Sequence, residues 1–324
     1  MKTIFVINPK AGQGKGKEKL IESIRSAANK LKADVEIYVT KAIGDAERYV
    51  REYCKVFGGA RFIACGGDGT LCEVINGAIE QPDSEIGVMP FGTGNDFRRN
   101  FGPEQDFLDA EAQITASCTK CDAIRYIKQL GGIKHIRYCA NMFNIGFDCN
   151  VADLTAKMKT KPFISGSLAY LISIFAILIK KKGANLSLEL DGKEKHKGPL
   201  LLTAISNGKF CGGGLKSNPL GVINDGFMDI NIVYNISRLN FLTKLPFYMK
   251  GTYIKLKNIE KVIFSTKCKR IAVTPLNGKM RLCVDGEIED AERTEFEIVP
   301  GAFDFVVPCK SCVTGEKEVL SVGA

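Results

Sequence analysis

Over residues 1–90 the chain alternates short apolar runs with longer amphipathic stretches. TIFVIN (3–8), DVEIYVT (34–40), ARFIAC (60–65) and EIGVMP (85–90) read as strands. Between them apolar residues recur at the helical period. One set is Leu20, Ile21, Ile24, Ala27, Ala28 and Leu31, and a second is Ala46, Tyr49, Val50, Tyr53 and Val56. Leu71, Val74, Ile75, Ala78 and Ile79 make a third. Strands parted by helices of about 10–15 residues imply a parallel sheet with right-handed crossovers.

The texture changes near residue 122. AIRYIKQL, HIRYCANMFNIGF, NLSLELDG, LLLTAISNG, FMDINIVYN, KVIFSTK, RIAVTPL, RLCVDGEI and FEIVP are rich in β-branched and aromatic residues, with DG, NG and GG turn signals between them. This pattern predicts an antiparallel sandwich or barrel. One long helical segment, about 151–180, interrupts it. No internal repeat, low-complexity tract or long linker is visible.

Composition narrows the class without naming it. The 324 residues are 45% hydrophobic and 25% charged, ordinary for a globular protein with a full core. The formal charge is +9, which favours an acidic partner such as a nucleotide, a nucleic acid or an anionic membrane surface, or simply a solvated basic face. Twelve cysteines lie scattered, without a small-scaffold framework. The opening MKTIFVINPK has too short an apolar stretch for a signal peptide, so the expectation is a reducing cytoplasm and mostly free thiols. The longest apolar run, LAYLISIFAILI (168–179), falls short of the ~20 residues of a membrane span and ends in lysines.

Candidate chemistry centres on FIACGGDGTLCEVINGA (62–78). A strand delivers the chain to the carboxyl edge of a parallel sheet, where ligands bind. Gly66, Gly67 and Gly69 allow close backbone approach, and a helix expected to start at about Thr70 turns free N–H groups to the same spot. That is a phosphate cradle. Asp68 would repel phosphate by itself and makes sense with Mg²⁺ between them. A plain βα turn would also explain GG-x-G taken alone. Two similar loops, NPKAGQGKG (8–16) and MPFGTGNDF (89–97), follow the first and fourth strands. Neither a Walker A string nor a dinucleotide G-x-G-x-x-G is present.

NPKAG, GGDGTLCEVINGA, PFGTGNDF and VDGE (284–287), in this order, resemble the diacylglycerol kinase catalytic family over about residues 1–308. The nearest relatives look like soluble bacterial lipid kinases. The resemblance implies an N-terminal α/β domain like that of phosphofructokinases and NAD kinases (1–122, rejoined by about 308–324). A C-terminal antiparallel β-sandwich (123–307) would follow, with the active site in the cleft between. It places Asn8, Thr40, Gly66, Gly67, Asp68, Gly69, Thr70, Leu71, Cys72, Thr93 and Asn95 around ATP. Asp68 would act through Mg²⁺ with support from Asp96, and Glu287 would be the general base. Read alone, Glu287 is an exposed hairpin residue after an Asp-Gly turn. GVINDGFMDI (221–230) matches a family loop in which Asp225, with the carbonyls of Val222 and Phe227, would hold a structural Mg²⁺; an ordinary Asn-Asp-Gly turn is the other reading. Many relatives have Asn where this chain has Cys72.

The activity so implied is ATP- and Mg²⁺-dependent phosphorylation of a lipid hydroxyl, with diacylglycerol foremost. NAD kinase, which shares GGDGT, and a nucleotide- or lipid-binding protein without turnover remain as alternatives. The partners expected are ATP and a lipid at a membrane surface, with peripheral membrane association, an edge-strand homodimer and no nucleic acid. Segment 151–182, with Lys157, Lys159, Lys161 and Lys180–Lys182, reads either as a membrane-docking lip or as a core helix with solvated ends; Lys15, Lys17, Arg98 and Arg99 would extend its basic face. Two C-x-x-C pairs, Cys118/Cys121 and Cys309/Cys312, have zinc-ligand spacing, although free thiols are the commoner outcome. His135 and His196 have no partners at metal spacing.

Overall fold

The computed structural model describes residues 1–14, 16–147, 154 and 183–308. The expected helix at 151–180, Lys15, and Cys309 and Cys312 lie almost entirely outside them. The chain divides into two compact units, Met1–Cys121 with Ala302–Ala324, and Asp122–Gly301.

In the first unit, β1 (Thr3–Ile7), β2 (Val35–Val39), β3 (Arg61–Gly66) and β4 (Glu85–Pro90) pair in parallel in the order β2-β1-β3-β4. All five residues of β1 are buried, as befits a central parallel strand covered on both faces. Helices α1 (Lys17–Leu31), α2 (Asp45–Phe57) and α3 (Asp68–Ala78) make the crossovers. Their apolar residues are the ones that recur at the helical period: Ile24 and Ala27 of α1 pack on Phe5, Ile63, Cys65 and Met89. Two short helices, α4 (Glu104–Phe107) and α5 (Ala110–Thr115), precede β5 (Cys118–Leu130). Too brief to display a period, they were not legible in the sequence.

The last strand, β15 (Thr294–Val306), crosses between units within its length. Its end joins the parallel sheet, with Asp304 beside Glu85 and Phe305 beside Ile86. The chain therefore re-enters the first unit at Ala302, earlier than the 308 expected. Pro300-Gly301 marks the crossing, with Gly301 at φ +57°, but the strand runs on through it.

The second unit is antiparallel. Its strands are β6 (Ile133–Cys139), β7 (Met142–Gly146), β8 (Ala184–Leu190), β9 (Lys193–Ser206), β10 (Met228–Tyr234), β11 (Ile263–Cys268), β12 (Arg270–Pro275), β13 (Met280–Val284) and β14 (Glu287–Ala291). β9 is long enough to serve two pairings. Its first part pairs with β8, and its second lies between β7 and β10. Inward residues of the two layers, among them Tyr126, Phe143, Ile205, Ile230, Val273, Leu282 and Phe296, form one core, so this unit is a β-sandwich. A further helix, α6 (Arg238–Met249), packs Phe241 against Phe147, Leu202 and Val233. Among the described residues no helix is long and apolar enough to cross a membrane.

Candidate active site

Three loops leave the carboxyl ends of β1, β3 and β4 in the first unit. Those after β1 and β4 continue the sheet's ladder by one step, the Asn8 amide donating to Cys65 O at 3.0 Å and Phe91 N to Gly66 O at 2.9 Å; Thr40 N does the same after β2, donating to Ile7 O at 2.9 Å.

Helix α3 begins at Asp68, two residues earlier than the periodicity suggested, with Gly67 as its cap. Apolar spacing could not reveal this, because the first turn carries Asp68, Gly69 and Thr70 and no apolar side chain. The Asp68 side chain does not cap its own helix; Oδ1 accepts the Asp96 amide at 2.8 Å. Thr70 Oγ1 accepts from Asn8 Nδ2 at 3.1 Å, joining the first loop to the second. Leu71 is buried, and its amide donates to Gly67 O at 3.1 Å. Cys72 and Gly69 lie on the same helix, half-buried.

The second and third loops meet glycine on glycine. A Cβ on Gly92 would lie 2.5 Å from Gly67 Cα, and one on Gly67 would lie 3.1 Å from Gly92 Cα. A Cβ on Gly94 would lie 2.5 Å from Asp68 Oδ2 and 3.6 Å from Asp96 Oδ2, so the two carboxylates converge beside a residue without a side chain. Next to them Asn95 adopts φ +53°, and its buried Oδ1 has no hydrogen-bond partner among the described residues. Thr93 is exposed at the loop's tip. The loop is anchored by Phe97, whose ring meets Phe305 edge-on at 5.1 Å and Phe101 at 5.4 Å. Gly92→Ala should destabilise the protein by about 2 kcal/mol, the usual cost of forcing a methyl group into backbone. Thermal unfolding of the variant checks this; unchanged stability would show that the loops need not touch.

A pocket of ≈ 90 Å³ opens beside this cradle, lined by Asn8, Lys10, Thr40, Ile43, Thr70 and Glu73 among others. The sequence signalled Asn8, Thr40 and Thr70 but missed Glu73, whose oxygens accept the amides of Gly44 at 2.9 Å and Ala46 at 3.1 Å. Glu73 thereby supplies the N-terminal cap that α2 lacks in its own sequence. Asp45 holds the same turn by accepting from Lys41 N and Tyr38 Oη. Arg98, expected on an exposed basic face, is instead 4% exposed, bonded to Gly102 O and paired with Glu104. Arg99 donates to Gly94 O and faces Asp96 at 3.5 Å.

In the second unit, Glu287 is exposed and opens β14. It pairs across a two-residue turn with Val284, and the turn residues Asp285 (φ +46°) and Gly286 (φ +95°) are both left-handed, as such a hairpin requires. Asp285 fixes the turn further, with Oδ1 accepting Met142 N at 3.0 Å and its own amide donating to Met142 O. Asp225 accepts from Phe227 N and is ion-paired with Lys267 at 2.7 Å. Val222 and Phe227 lie on the same loop, both partly exposed. The sequence missed Asp122, on β5 and almost fully buried, which organises this region: its oxygens accept Gly226 N at 2.7 Å and Gly301 N at 2.8 Å. A lone aspartate within an apolar run was the only signal.

Of the two C-x-x-C pairs, Cys309 and Cys312 lie outside the described residues. Cys118 and Cys121 lie three apart in one strand, so they point to opposite faces. Burial, reinforced by Glu85, pushes the Cys118 thiol up to about 12. His135 is exposed, and His196 lies within 3.2 Å of Gly198 O.

Glycine-rich backbone at a helix N-terminus beside two carboxylates is the kind of arrangement that suits phosphate with a cation. Residues 2–126 match the diacylglycerol kinase catalytic domain, and residues 141–307 match the YegS C-terminal NAD kinase beta sandwich-like domain. The chain is 32% identical over 292 residues to a diacylglycerol kinase of Staphylococcus aureus, covering 87% of this chain and 85% of that one. It is 28% identical over 315 residues to a probable lipid kinase, YegS-like, of Pseudomonas savastanoi, covering 94% and 95%. A diacylglycerol kinase crystal structure from Bacillus anthracis superposes with a TM-score of 0.65 at 22% identity, covering 94% and 96%. The chain belongs to the diacylglycerol kinase family and is a lipid kinase.

Proposed function

We propose that this kinase transfers the γ-phosphoryl group of ATP to the free hydroxyl of diacylglycerol, giving phosphatidic acid and ADP. The observation that carries the reading is the junction of two glycine loops at the head of α3, beside the converging carboxylates of Asp68 and Asp96. Asn8, Thr40 and Thr70 hold the nucleotide, and the backbone of Gly66, Gly67 and Gly69 faces its phosphates, with Thr93 at the rim. The hard oxygens of Asp68, Asp96 and Asn95 suit Mg²⁺. Magnesium, when bound, neutralises charge on the phosphate oxygens. Glu287 accepts the hydroxyl proton as the new O–P bond forms and the bond from Pγ to the ADP oxygen breaks. An ATP-using enzyme with a bilayer lipid as substrate works in the cytoplasm, at the membrane surface.

The test is transfer of labelled γ-phosphate from ATP to a panel of lipids in mixed micelles, with and without Mg²⁺. Labelled phosphatidic acid, dependent on the metal, is the expected result. A different labelled lipid would correct the substrate, and labelled NADP⁺ formed from NAD⁺ without any labelled lipid would overturn the reading.

A further inference from the structure

Two carboxylates in the second unit close around one ammonium. Lys267 Nζ lies 2.7 Å from Asp225 Oδ2 and 3.1 Å from Asp229 Oδ1. The other oxygens are also engaged: Asp225 Oδ1 accepts Phe227 N at 3.0 Å, and Asp229 Oδ2 accepts Asn218 Nδ2 at 3.0 Å. All four carboxylate oxygens thus already face N–H donors. From this arrangement we propose that in this chain the Lys267 ammonium takes the place that the family pattern gives to a divalent cation on Asp225, so that the second unit is held together without a metal.

The placement is built in by the sheet. Asp229 and Lys267 are direct partners across β10 and β11, so strand register alone brings ammonium to carboxylate. The pair is partly buried, with the Asp229 side chain 12% exposed, which sets it apart from a loose surface ion pair. Lys269, just past the end of β11, lies over the Phe227 ring at 5.4 Å from its centroid and adds a second positive charge against the loop. On the other side the loop is tied by Asp122 through the Gly226 amide. A magnesium ion needs near-octahedral oxygen ligands at close range. Here it would have to share its only carboxylate ligand with an ammonium and displace hydrogen bonds already made. One positive charge on a flexible stem neutralises the same aspartate without any such demand.

The inference concerns stability and is independent of which lipid is phosphorylated. It is tested on the full chain without nucleotide or lipid. The wild-type melting temperature should agree within about 1 °C in EDTA and in excess MgCl₂, since a ligand that does not bind the folded state adds no stability. Metal analysis after gel filtration should find no retained equivalent. Lys267→Met keeps the apolar stem and leaves two carboxylates without their counter-charge. It should melt several degrees lower in EDTA, and Mg²⁺ or Ca²⁺ should restore most of the loss. In the Lys267→Met, Asp225→Asn double variant the dication should restore little. A wild type that loses several degrees in EDTA, or that retains an equivalent of metal, overturns the proposal. So does a Lys267→Met chain as stable as wild type, or one indifferent to dications. If that variant does not fold, the wild-type measurements decide alone.

Discussion

Asp68→Asn should lower kcat by a factor of about 10²–10³, the usual loss when one preorganised electrostatic group is removed from a site, while the fold stays intact. The structural contribution of Asp68 runs through Oδ1, which accepts the Asp96 amide at 2.8 Å. An asparagine oxygen can accept the same bond, so the second and third loops remain joined. What is lost is the negative charge that converges with Asp96 beside Gly94. Asp68→Ala removes both and should also melt at a lower temperature. Comparing the two variants by thermal unfolding and by phosphoryl transfer separates charge from tether. If Asp68→Asn retains turnover, the carboxylate pair is structural and its role in holding Mg²⁺ fails.

The second large effect is expected at Glu287. Glu287→Gln should reduce turnover by about 10²–10⁴, the range for loss of a general base, and leave ATP affinity unchanged. Glu287 is exposed at the start of β14, and its side chain supports no core packing. The hairpin is secured by Asp285 and Gly286 and should not notice the exchange. The fall should appear in kcat, read by phosphoryl transfer at saturating ATP and lipid. A variant that turns over as fast as the wild type would remove Glu287 from the chemistry.

The first unit was largely legible because local and global signals agree there. Buried parallel strands read as apolar runs, and the helices between them show one face each, as Ile24 and Ala27 do in α1. Gly66, Gly67, Gly92 and Gly94 were legible as glycine-rich loops at strand ends, although only the structure shows Gly67 and Gly92 packed against each other. Partners distant in sequence were not legible. Asp122 reaches Gly301, and Glu73 reaches back to Gly44, through bonds that no periodicity encodes. The same holds for Lys267, whose meaning depends on strand register. Helix α6 was missed because Pro246 and a scatter of apolar residues blur its stripe. Arg98 was misplaced because charge is an unreliable guide to exposure when a partner such as Glu104 and the Gly102 carbonyl are at hand.

The late return of β15 bears on how the protein is made. β4 finds its neighbour on one side only when Asp304 and Phe305 have left the ribosome, long after the rest of the parallel sheet has emerged. Until then the nascent first unit carries an open strand edge, the kind of surface that recruits the wrong partner. A fragment ending at Cys121 would keep that edge for good, so expression trials that trim this kinase to its first unit should give aggregates unless the last strand is supplied as well.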